Sequence, residues 1–199
     1  MVDTLQGARL ADNPFVFLPD VQDAGKDGAC ADQDRVFFAE RLQIDQGRIA
    51  RGDLETAIAS LFQIIERTRL PSAYLLLAQA YMKAHETDAA FTVLNILDYI
   101  EPDLAEKDLL RGLFLRHLSR NGEAREHLRL AVRRKPKLGL AWAALVDLEM
   151  EEHNPAEARR LFEEGRRQAP DSDHLSRAGE RLADSGVTVE PPAAGQIKL

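Results

Sequence analysis

Cysteine is nearly absent from this chain: Cys30 is the only one in 199 residues. No internal disulfide can form, and a reducing compartment is the simplest setting. Aromatic residues are scarce, at 6%, so a core has to be built from leucine and alanine, which favours helices. No apolar run approaches the ~18 residues of a membrane-crossing helix, so no membrane insertion is expected. The first residues lack a basic stretch followed by an apolar one, so no export signal is expected and the cytoplasm is the default location. Positive charge is also short: 26 Lys and Arg stand against 33 Asp and Glu, a net charge of -7. That balance gives no global pull toward nucleic acid or an anionic membrane.

Catalytic patterns are missing as well. There is no phosphate loop, no metalloprotease helix, no paired cysteines and no nucleophile elbow. His85 and His153 fall where turns are expected, and His117 and His127 lie among arginines, a poor setting for a cation. The cluster Asp171, Asp173 and His174 is accounted for by helix capping. The expectation is a protein without enzymatic activity, metal or cofactor.

What is present is a repeat. Pro102, Pro136 and Pro170 stand 34 residues apart, and Ala90, Ala124 and Ala158 keep the same spacing. Leu94, Leu128 and Phe162 form a third series in phase with the first two. A fixed period in this range marks an array of similar units, each unable to bury its own apolar surface without neighbours.

Residues 1–34 read as a disordered acidic arm, with seven aspartates against Arg9 and Lys26 and with Pro14, Pro19, Gly25 and Gly28 as breakers. Within it Asn13-Pro14-Phe15-Val16-Phe17-Leu18-Pro19 is apolar and held extended by its prolines. It reads as a tail packed on the first helix, or as a docking peptide for a groove on this molecule or another.

Helical periodicity begins near Arg35. Gly52-Asp53, His85 to Asp88, Asn121-Gly122 and Asn154-Pro155 divide four helical hairpins. After Pro170, Ser172 or Asp173 can cap a last helix, whose Leu175, Ala178 and Leu182 share one side while Arg177, Glu180, Arg181 and Asp184 make the other polar. Gly186 ends it, and residues 187–199 read as a disordered tail. Residues 35–186 are therefore the folded repeat domain.

The pattern resembles the tetratricopeptide repeat. The second unit carries it best, as Tyr74, Leu77, Ala78, Tyr81, Ala90, Leu94 and Pro102; the fourth has Trp142, Leu145, Ala158, Phe162 and Pro170. The third keeps Gly112, Ala124, Leu128 and Pro136 but puts Asp108 and Arg111 at apolar positions. The first keeps Gly52, Ala57 and Leu61, and its Pro71 is out of phase. The resemblance implies an all-α fold: a right-handed solenoid of helical hairpins with three clear repeats, a degenerate first repeat and a capping helix.

In that family the first helices line a concave groove. The corresponding residues here include Leu42, Gln46, Leu75, Leu76, Gln79, Met82, Leu109, Leu110, Leu113, Arg116, Ala143, Asp147 and Met150, with Lys83 beside them. Relatives that grip acidic C-terminal peptides use basic residues at two of these positions, whereas here they hold Leu42, Gln46, Leu75, Gln79, Leu109, Leu113, Ala143 and Asp147. Such a surface suits an apolar helix or extended peptide of a client protein, or closure by a second copy (a homodimer) or by the chain's own arm. The architecture is also similar to the chaperones of type III secretion systems. From Ala105 to Lys137 ten Lys or Arg face four Asp or Glu. This block reads as a solvated helix face or as a dock for an acidic segment.

Overall fold

The computed structural model describes residues 32–186. Among them are nine helices: α1 (Asp32–Arg51), α2 (Leu54–Thr68), α3 (Pro71–Lys83), α4 (Thr87–Ile100), α5 (Ala105–His117), α6 (Asn121–Arg134), α7 (Gly139–Glu151), α8 (Pro155–Gln168) and α9 (Asp173–Asp184). Helix α1 starts three residues ahead of the expected boundary at Arg35. The Asn13–Pro19 run, Cys30 and residues 187–199 lie outside the described residues.

The helices pair as α1–α2, α3–α4, α5–α6 and α7–α8, with α9 closing the array. First helices pack side by side in the row α1, α3, α5, α7, α9. Each second helix packs on its own first helix and on the next, as α2 on α3, α4 on α5, α6 on α7 and α8 on α9. The result is two layers, as a stack of hairpins requires.

The three in-phase series build the contacts. Ala90, Ala124, Ala158, Leu94 and Leu128 are wholly buried, and Phe162 nearly so. At Gly112 a Cβ would stand 2.7 Å from Cγ of Leu128, so glycine is what lets α5 and α6 approach this closely. The prolines mark the exits: Trp142 donates from Nε1 to the Pro136 carbonyl at 2.8 Å, and Lys107 from Nζ to that of Pro102 at 2.8 Å.

Several local expectations are corrected. Asn121 and Gly122 open α6 rather than making the turn, which comes at Ser119 in the left-handed region. Pro71 does not end the first unit; it starts α3, after a C-cap at Arg69 with φ 48° and only Leu70 between. Asp53 and Asn154 occupy N-cap positions without a side-chain capping bond, whereas Ser172 does cap α9, accepting from the Leu175 amide at 3.3 Å.

Candidate functional site

The two layers differ in burial. Second helices α2, α4, α6 and α8 each bury four residues, the single stripe of an amphipathic helix. First helices α3 and α5 each bury ten of thirteen residues, and α7 buries nine. A helix buried around its whole circumference belongs to an interior.

The expected groove residues follow this pattern. Leu42, Gln46, Leu75, Leu76, Gln79, Met82, Leu109, Leu110, Leu113 and Ala143 are all buried, so they do not form an open, solvent-facing surface. Arg116, Asp147 and Met150 are half-buried. Leu42, Leu75, Leu76, Met82 and Leu110 join the core of the first two units, and Leu109, Leu113 and Ala143 that of the last two. Positions expected to face a ligand thus also pack first helix against first helix.

At the α7–α9 end the row becomes polar. Arg116 reaches across from α5 to Glu151 at 2.5 and 3.0 Å, and Arg181 of α9 grips both oxygens of Asp147 at 2.7 and 2.8 Å. Burial alone would lower the Arg116 pKa, but the Glu151 hydrogen bond and the Glu151 and Asp147 charges outweigh it, so the guanidinium is held more firmly protonated. Periodicity within α9 alone puts Arg181 on an outer polar face. The stack turns it toward α7 while leaving it exposed, and the signal was the repeat register: Gln79, Leu113, Asp147 and Arg181 stand 34 residues apart.

Lys83 is not available to a ligand in the manner expected. Its ammonium donates to the carbonyls of Ile49 and Ala50 at 2.6 and 2.9 Å and closes the C-terminal end of α1.

The basic block is largely engaged within the stack. Arg125 of α6 bonds Glu149 of α7 at 2.6 Å and Glu152 at 3.2 Å. Lys135 bonds Glu106 at 2.8 Å, Arg129 stands 3.5 Å from Glu157, and Arg134 bonds Asp108. The charged residues at apolar repeat positions are explained by partners on neighbouring helices. Buried Asp108 faces Arg134 and His127, and Arg111 donates to Asp98 and Asn95 of α4, both at 2.9 Å. An ion pair within the α5–α6 hairpin therefore stands at Asp108, where the second and fourth units use Tyr74 and Trp142, and a pair between hairpins stands at Arg111, where they use Leu77 and Leu145. Among the described residues no group of three or more His, Cys, Asp or Glu could hold a metal, and no helix is long and apolar enough to cross a membrane.

No protein-family model and no curated protein matches the chain. Solved structures do. A thermophilic TPR protein of Thermus thermophilus, TTC0263, superposes with a TM-score of 0.64 at 20% identity, over 74% of this chain and 80% of that one. The fold is the tetratricopeptide-repeat fold. PilF of Pseudomonas aeruginosa matches at 0.61 and 20% identity, over 74% of this chain and 68% of that one. The MamA protein matches at 0.52 and 19% identity, over 79% and 85%.

Proposed function

We propose that this tetratricopeptide-repeat chain is a non-enzymatic protein–protein interaction module, an adaptor, assembly factor or chaperone, that receives an apolar segment of a client on its first-helix row. One observation carries the reading. The register positions that the repeat pattern assigns to the groove hold Leu75, Leu109 and Ala143 in one column and Gln79 and Leu113 in the next, with no basic residue in either before the Asp147–Arg181 pair. An apolar strip closed at one end by neutralised charges selects an apolar segment over an acidic tail. Holding a translocator in the cytoplasm, as the type III secretion chaperones do, is a special case of this reading.

The test is native purification of the full chain, mass spectrometry of the stable complex, and binding of a peptide cut from the client's apolar segment. Leu113→Gln puts at α5 the residue that α3 carries in the same register, and is checked for folding by circular dichroism. Affinity should fall at least tenfold and should change little with salt. Undiminished binding by a folded Leu113→Gln protein, or a strongly salt-dependent affinity, would sink the reading.

A further inference from the structure

A helical stack needs a polar outer face at each end, because a terminal unit has no neighbour to cover its apolar side. Helix α9 supplies one at the C-terminal end and leaves no large apolar residue exposed. Helix α1 at the other end does not. It packs on α2 and α3 and buries Phe38, Leu42, Asp45, Gln46 and Ile49. Phe37 and Ile44 lie on its opposite side and stay 53% and 51% exposed. At about 100° per residue, Phe37, Glu40, Ile44, Gly47 and Arg51 share about 80° of arc facing away from the buried stripe.

Three residues of this face have no use within the described chain. Gly47 sits inside a helix, where only proline is a poorer choice. A Cβ there would meet only the tip of the Arg51 side chain, at 3.3 Å, so no packing contact calls for a glycine. Glu40 and Arg51 are both exposed, and neither has an ion-pair or hydrogen-bond partner among the described residues. Glutamate early and arginine late in a helix suit its dipole, but the dipole does not call for Phe37, Ile44 and Gly47 beside them.

We propose that this face joins two copies of the chain, α1 against α1, antiparallel about a two-fold axis that passes between Ile44 and Gly47. The argument for a second copy is self-complementarity. The Ile44–Gly47 and Glu40–Arg51 pairs are centred on the same point of the helix. One antiparallel alignment therefore sets Ile44 of each copy over Gly47 of the other, and Glu40 of each against Arg51 of the other. A two-fold interface uses one patch twice, so the patch has to carry both members of every pair. The missing Cβ lets the two backbones approach and gives the isoleucine a hollow to fill. Phe37 extends the apolar seam at each end. The pairing involves none of α3, α5 and α7, so it stands independently of the client reading.

Sedimentation equilibrium of the full chain tests the pairing. The native chain should dimerise. Glu40→Arg and Arg51→Glu should each weaken self-association at least tenfold, because each brings like charges together at both ends of the seam. An equimolar mixture of the two variants should recover the dimer, since one then carries only cations at these sites and the other only acids. A surface meant for a different protein gives no such rescue. Gly47→Leu should weaken the dimer to a similar degree while circular dichroism shows the helices intact. A native chain that stays monomeric to millimolar concentration overturns the proposal. A dimer indifferent to all three substitutions does so too, and so do single charge variants that mixing fails to restore.

Discussion

His85, Ser119 and His153 hold one backbone conformation at one place in successive hairpins, with φ of 63°, 59° and 58°. The first hairpin puts Gly52 there, at φ 86°. The left-handed region costs a residue with a Cβ roughly 1–2 kcal/mol, and glycine occupies it freely. His153→Gly is therefore expected to stabilise the chain by about 1 kcal/mol after the greater backbone freedom of unfolded glycine is deducted. A urea midpoint that falls on substitution would contradict this. Asp108 makes the opposite case. It is 2% exposed and faces Arg134 and His127. Asp108→Ala leaves those groups facing a cavity and should cost about 2 kcal/mol, less than the ~3–5 of a wholly buried pair because Arg134 reaches water. Unchanged stability in urea would show that the ion pair contributes nothing.

Between elements, two seams can be tested. In the α5–α6 hairpin, Gly112→Ala would place a methyl 2.7 Å from Leu128 Cγ and 3.2 Å from the Ala124 carbonyl. Overpacking of this kind costs about 1–3 kcal/mol, although alanine is the better helix former, so a gain in stability would overturn the close-packing account. At the α4–α5 seam, burial pushes the Asp98 carboxyl up, but hydrogen bonds from Arg111 and Lys107, with their charges, hold it below the usual range. A lowered folded value means that the stabilisation is fully present above the usual Asp value near 3.9. It is lost as pH falls through the folded value. Stability measured between pH 5 and 3 should therefore decline less steeply in Asp98→Asn than in the native chain, and parallel curves would rule the contribution out. This seam also shows what was legible in the sequence. The in-phase alanines and prolines mark hairpins by size and by a missing donor, properties each residue carries alone. Asp108 and Arg111 read as departures because their partners, Arg134 and Asp98, sit 26 and 13 residues away on other helices. The groove residues were legible only as an apolar face for the same reason: apolar periodicity says that a face is covered, not by what.

Across the whole molecule the core divides into two clusters that meet on α5. Leu110 and Phe114 belong to the N-terminal one, and Leu109, Leu113 and Leu115 to the C-terminal one. Phe91 touches both, and its ring meets the wholly buried Phe114 edge-on at a centroid distance of 6.3 Å. In a linear array, stability is the sum of unit terms and nearest-neighbour interfaces, so cooperativity across the stack depends on such junctions. Phe114→Ala removes the ring from the N-terminal side of α5 and should cost about 3–5 kcal/mol. The loss falls on one cluster, which should uncouple the halves. Trp142 is the chain's only tryptophan and lies in the C-terminal cluster, so its fluorescence reports that half, while circular dichroism reports all helices. In the native chain the two urea transitions should coincide, as for a single cooperative unit. In Phe114→Ala the circular dichroism should begin to fall at lower urea than the Trp142 signal. If the two curves still superimpose, the stack is coupled through its other interfaces, and α5 is not the junction on which its cooperativity depends.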